Sequence, residues 1–155
     1  MHILPSHSGY DLTFVADQYT DNQAYITPHP MYIKDSWTVP ADGSWNFKSI
    51  YDCNYFLERV LPRYEKGEIS GNTMEIGQYI GEVLFLRAYE YFELYHKYGD
   101  LPIVTKTLPD NQEVLTEASK RSPRNEVARF ILSDLDKALE LMPEQFEGSH
   151  TRINR

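Results

Sequence analysis

The 155-residue sequence predicts an all-α fold on three observations. Three long stretches carry apolar residues at helical spacing, Gly and Pro fall between and after them, and the apolar face of the middle stretch is too broad for one neighbour.

Residues 1–43 come before these stretches and show no sustained helical or strand period. Pro5, Gly9, Pro28, Pro30, Pro40 and Gly43 punctuate them, which reads as mostly loop with one short helical or extended piece at 10–16. Tyr19, Tyr25, Tyr32, Trp37 and Trp45 argue against plain disorder, because disordered segments are poor in aromatics. The first helix is expected over about 44–61, with Ser44 as N-cap and Phe47, Ile50, Tyr51, Asn54, Tyr55, Leu57, Glu58 and Leu61 setting its period. Pro62 ends it or makes its last turn irregular, and a polar hinge, EKGEISGNT, follows.

The second helix is expected from about Met74 to Tyr98. Ile76, Ile80, Val83, Leu84, Ala88, Tyr91 and Tyr95 form one face, which Phe85, Tyr89 and Phe92 widen, so it needs cover on more than one side. Glu82, Glu90, Glu93 and Lys97 leave a thin polar strip. Gly99 sits where a left-handed residue closes a helix, and Pro102 forbids continuation. Residues 100–121 then read as an extended excursion. Ser122 and Pro123 announce a third helix as N-cap and first helical residue. Val127, Phe130, Ile131, Leu135, Ala138, Leu139 and Met142 line its buried side, and it ends at Pro143.

A net charge of -8 sets nucleic acid aside, since its binders cluster Lys and Arg against phosphates. The single cysteine, Cys53, permits no intrachain disulfide or thiolate metal cluster, and reads as a small buried filler rather than a reactive thiol. No apolar stretch has the length of a membrane helix. The start, MHILPSHSGYD, lacks the features of a secretory signal, so read literally the chain is cytosolic.

No reactive constellation stands out. The histidines at 2, 7, 29, 96 and 150 are scattered, so no metal site is expected. Phosphate-cradling glycines and nucleophile motifs are absent, so neither a cofactor nor a catalytic residue is expected. The carboxylates of the second and third helices are read as lying on solvated faces, with nothing to raise a pKa or pair two of them. The segment that looks like a binding surface is 21–45, DNQAYITPHPMYIKDSWTVPADGSW, which interleaves flat rings with short polar side chains. That mixture suits a sugar: Tyr25, Tyr32 and Trp37 can cover the apolar faces of pyranoses while Asp35 takes hydroxyls. Equally, Trp37 and Trp45 can serve to anchor the loop to the helices.

The string FLRAYEYFEL at 85–94, running into YGDLPIV at 98–104, resembles the signature of the SusD/RagB family, nutrient-binding lipoproteins of the Bacteroidota outer membrane. Trp45 with Ile50, Tyr51 and Asn54, then Pro123-Arg124-x-Glu126-Val127, then Ile131-x-x-Asp134-Leu135-x-x-Ala138, follow in the family's order, and Arg152–Arg155 is similar to a segment that leads into another helix. Asp17 resembles the aspartate after the family's first helix. The resemblance implies a tetratricopeptide-like helical layer with long loops, here an incomplete SusD-like fold: 1–155 as one partial N-terminal domain of a longer protein, either a fragment or a truncated reading frame. It implies a non-enzymatic protein on the outward face of the outer membrane, capturing oligosaccharide for a SusC-like TonB-dependent transporter. Membrane association would come only through a lipid anchor that this chain lacks, since Cys53 lies inside a helix. The alternatives are a helical interaction module, or a peptide-binding relative with no glycan site in these residues. A glycosidase is a distant third, as nothing places two carboxyls about 5–10 Å apart in a cleft.

Overall fold

The structure, a computed structural model, describes residues 46–144 and Ile153. The chain divides into two units, Met1–Trp45 and Asn46–Arg155, and the described residues belong to the second. All its elements among the described residues are helices: α1 (Lys48–Glu65), α2 (Thr73–Tyr98), α3 (Gln112–Ala118) and α4 (Arg124–Leu141).

Helix α1 starts and stops later than its sequence suggests. Its N-cap position is Phe47, which gives no side-chain cap, and Asn46 Oδ1 instead accepts the Lys48 N–H at 2.8 Å. Ser44 lies outside the described residues. Pro62 lies inside the helix rather than ending it. Proline costs a helix one backbone hydrogen bond and a local clash, but here the turn beyond is held together. The N–H groups of Gly67 and Glu68 donate to the Tyr64 and Arg63 carbonyls, Gly67 takes φ 68°, and Tyr64 packs on the core.

Helix α2 matches its expected bounds. Asn72 Oδ1 accepts the Met74 N–H at 3.0 Å, and Gly99 closes the far end at φ 74° with its N–H on the Tyr95 carbonyl. The excursion from 100 to 121 is not wholly extended, because α3 interrupts it. No residue of α3 is buried, so periodicity could not announce it. Its warrant is the Asn111 cap, whose Oδ1 accepts from the Glu113 and Val114 N–H groups.

At α4 the N-cap position is Pro123, one residue later than expected, and it supplies no side-chain cap. Asp100, across the excursion, does so by accepting the Arg124 N–H at 2.9 Å. Beside it the Ser122 N–H donates to the Leu101 carbonyl in an isolated antiparallel bridge.

Helix α2 is covered on two sides, as its broad apolar face requires. Tyr64 near the end of α1 meets Gly77 near the start of α2, and Leu141 and Met142 at the end of α4 meet Gly77 and Gly81. Phe47 meets Tyr91, and Arg124 meets Gly99. Both neighbours therefore run antiparallel to α2. Leu57, Ile80, Leu84, Ala138 and Met142 form the core cluster, with Phe56, Val60, Phe85, Leu141 and Ile153 packed around it.

The aromatic run on α2 is divided. Tyr91 is fully buried, edge-on to Phe130 (4.9 Å between centroids) and to Phe47 (6.2 Å), whereas Tyr89 and Phe92 are exposed. Leu139, expected on the buried side of α4, is also exposed. On α1, Tyr51 and Tyr55 face outward.

Candidate functional site

The described residues converge on a buried polar hub where α1, α2 and α4 meet. Arg87 lies in the middle of the apolar face of α2, between Leu84 and Tyr91, and is 7% exposed. Its Nε and Nη2 donate to Asp134 Oδ2 (2.7 Å) and Oδ1 (2.8 Å), a two-pronged pair that fits a planar guanidinium to a carboxylate. Asp134 on α4 is 2% exposed, so the expectation that the carboxylates of α2 and α4 lie on solvated faces fails here. The third prong, Nη1, donates to Asn54 Oδ1 on α1 at 2.8 Å, and the guanidinium lies 5.3 Å from the Phe130 ring centre. Burying a charge this deeply is tolerable only with every partner in place.

The hub also pins the segment after α2. Asn54 Nδ2 donates to the Val104 carbonyl at 2.8 Å. Tyr91 Oη accepts the Val104 N–H at 2.7 Å and donates to its carbonyl at 3.2 Å. Burial pushes the Tyr91 hydroxyl up to about 12, so it stays neutral and able to donate. The Tyr-Gly-Asp-Leu-Pro-Ile-Val stretch at 98–104 is thus fixed at each end of its turn: Gly99 makes the bend, Asp100 caps α4, and Val104 is held by two helices.

Burial likewise raises the Cys53 thiol to about 11, which keeps it protonated and makes it the inert filler its sequence position suggests. Glu58, at the surface, accepts hydrogen bonds from the Thr107 hydroxyl and N–H, which hold its carboxyl below the usual range. Tyr51 and Tyr55 stack obliquely at 6.3 Å between centroids, with the Arg59 guanidinium 3.5 Å over the Tyr55 ring.

Glu90 departs from the expectation that no carboxyl on these helices is perturbed. Burial raises its pKa, opposed by a hydrogen bond from Ser49. A carboxyl with a folded pKa above its unfolded value of about 4.3 favours folding when protonated, so its contribution falls as pH rises through that window. Glu90→Gln is therefore expected to raise the Tm slightly at pH 7, with the gain disappearing near pH 4. Thermal melts at the two pH values check this.

Tyr25, Tyr32, Asp35 and Trp37 lie outside the described residues, as does Asp17. Among the described residues no group of three or more His, Cys, Asp or Glu could hold a metal ion, and no helix is long and apolar enough to cross a membrane. The hub residues were legible in one respect. Arg87 and Asp134 are charges of opposite sign, each placed at the centre of an apolar helical stripe.

Comparison with known proteins gives the hub a context. A SusD-like family model, described as "Starch-binding associating with outer membrane", matches residues 5–155. SusD-like protein P38 of Formosa agariphila is 30% identical over 133 residues, 81% of this chain and 24% of the relative. SusD-like protein P2 of the same organism is 30% identical over 78 residues, 50% of this chain and 15% of the relative. A solved SusD-like protein from Bacteroides fragilis superposes with a TM-score of 0.52 at 36% identity, over 66% of this chain and 18% of that one. The chain thus spans a quarter or less of the length of these relatives. With an all-α, tetratricopeptide-like fold and a match along nearly its whole length, the chain belongs to the SusD-like family of starch-binding proteins associated with the outer membrane.

Proposed function

We propose that this chain is part of a surface nutrient-binding protein that captures an oligosaccharide and passes it to a SusC-like TonB-dependent transporter on the outward face of the outer membrane. The observation that carries the reading is the family match over residues 5–155, whose description is starch binding at the outer membrane. Members of the family are binding proteins, and we extend that to this chain: it binds without catalysis. In this reading residues 1–155 form part of one SusD-like domain, and Tyr25, Tyr32 and Trp37 offer ring faces while Asp35 takes sugar hydroxyls.

Titrating tryptophan fluorescence with a panel of oligosaccharides, starch-derived ones included, and with peptides tests this. Saturable quenching by a glycan is expected, weakened about tenfold or more in Trp37→Ala, as loss of a stacking ring is worth about 1.5 kcal/mol. Silence with every glycan alongside peptide binding would replace the ligand class.

A second reading, a helical interaction module, is favoured by one observation: Tyr51, Tyr55, Tyr89 and Phe92 are all 39–50% exposed on α1 and α2. Under it, Trp37→Ala leaves ligand binding unchanged and disturbs partner association.

A further inference from the structure

Helix α4 buries one row of side chains and leaves a second, apolar row open. Val127, Ile131, Asp134 and Ala138, spaced by four, three and four residues, are its buried positions. The same spacing begun one residue later picks out Ala128, Leu132, Leu135 and Leu139, every one apolar. One residue on is about 100° round a helix, so the two rows lie side by side. Leu132 is 58% exposed and Leu139 43%, while Ala128 and Leu135 are half-buried. Phe130 marks the edge of α4 that meets Tyr91 and Arg87 at the hub. The second row is on the opposite edge, toward the side of α2 that carries the exposed Tyr89 and Phe92. A single exposed leucine needs no explanation, but a continuous row of this kind is a face without a partner.

The charges along its border say what fits it. A further step round the helix lie Arg129, Ser133, Asp136 and Glu140. Arg129 and Asp136 are exposed, of opposite sign, and make no ion pair among the described residues. Seven residues apart, they are separated by about 10 Å along the axis and cannot pair with each other. They stand on either side of the middle of the row, so the pattern is complementary to itself turned end for end. In two copies of α4 laid antiparallel, Leu132 meets Leu135 of the second copy and Ala128 meets its Leu139, small against large. Arg129 of each copy then reaches Asp136 of the other, twice over. A parallel pairing would instead set Arg129 against Arg129 and Asp136 against Asp136, and like charges oppose it.

We infer that the second row of α4 is the interface of a two-fold dimer of this chain, with the two α4 helices packed antiparallel about an axis near Ser133 and Tyr89 and Phe92 of α2 flanking the contact. The leucines supply the buried apolar surface, and the paired Arg129 and Asp136 fix direction and register. Such a dimer needs neither a ligand nor the ring surface of Tyr25, Tyr32 and Trp37, so it stands or falls separately from glycan binding.

Sedimentation velocity of the 155-residue chain over a dilution series from millimolar to micromolar tests this. A reversible equilibrium that stops at two copies is expected. Asp136→Arg sets like charges together at both ends of the contact and is expected to weaken the dimer about tenfold or more, as is Arg129→Asp. Combining the two rebuilds both ion pairs with their signs exchanged, and should return the dissociation constant to within about threefold of the wild type. Leu132→Glu is expected to leave monomer alone. All three positions are exposed, so each variant should keep its helical circular dichroism. A wild-type chain that is monomeric throughout the series overturns the inference and gives the face to a different polypeptide. Association that continues past two copies also overturns it, as does a double variant no tighter than the single ones, since a merely adhesive patch ignores how the charges pair.

Discussion

Replacing Arg87 by Met is expected to lower the free energy of unfolding by about 3–5 kcal/mol, because it leaves the Asp134 carboxylate buried and unpaired. The same change strips Asn54 Oδ1 of its donor and removes the cation from beside Phe130. For a domain with a total stability of about 5–15 kcal/mol, a loss of that size decides whether the fold persists at 37 °C. Urea unfolding followed by circular dichroism measures it. The pair itself need not be worth that much, since well-packed apolar residues can replace a buried ion pair at little cost. Arg87→Met with Asp134→Leu is accordingly expected to be more stable than Arg87→Met alone. An Arg87→Met chain that unfolds at the wild-type urea midpoint would show that water enters the hub and solvates Asp134.

The second large effect is expected at Gly81. A Cβ built there would lie 2.5 Å from Met142 Cγ and 3.2 Å from the Ala138 carbonyl oxygen. At Gly77, one turn earlier, it would lie 3.1 Å from the Leu141 carbonyl and 3.2 Å from the Tyr64 hydroxyl. Two glycines four residues apart therefore let the last turn of α4 lie almost on the backbone of α2. Gly81→Leu is expected to destabilise by about 1–3 kcal/mol through overpacking, even though leaving glycine improves helix propensity by somewhat under 1 kcal/mol. Adding Met142→Ala should recover part of the loss, because it removes Cγ but leaves the Ala138 carbonyl where it is. Thermal melts of the single and double variants provide the comparison, and a Gly81→Leu chain with unchanged Tm would mean that α4 can move aside freely.

Much of this fold can be read in the chain, and the exceptions have physical causes. The limits of α2 are legible because both are marked by local chemistry, the Asn72 cap and Gly99. The limits of α1 are not, because Pro62 is tolerated by a turn that packing holds shut, and packing is not a local signal. Helix α3 escapes a reading based on buried faces because it has none, although Asn111 followed by Gln-Glu was a usable cap. Asp134 was misplaced because a charge on an apolar stripe reads as a gap in the pattern. Only its pairing with Arg87, 47 residues away, shows that the gap is the point of contact. Gln78 on α2, fully buried with its Nε2 on Glu82 and on the Ile153 carbonyl, gives no comparable sign, since a main-chain carbonyl is a group every residue carries. The candidate ring surface, Tyr25, Tyr32 and Trp37 with Asp35, lies outside the described residues, so its test is the titration rather than geometry.

The excursion between α2 and α4 is shut at its base. Ser122 donates to Leu101, Asp100 caps Arg124, and Val104 is held by Asn54 and Tyr91. Thr107 is tied to Glu58 of α1 as well, and everything from about Leu108 to Arg121, α3 included, leaves and rejoins the molecule at a fixed gate. Closing a longer loop at such a gate costs little, about 0.6 kcal/mol for each doubling of its length. Insertions and deletions there would leave the registration of α4 against α2 undisturbed. This stretch is where descendants of the sequence could acquire new surface chemistry while inheriting the three-helix frame unaltered.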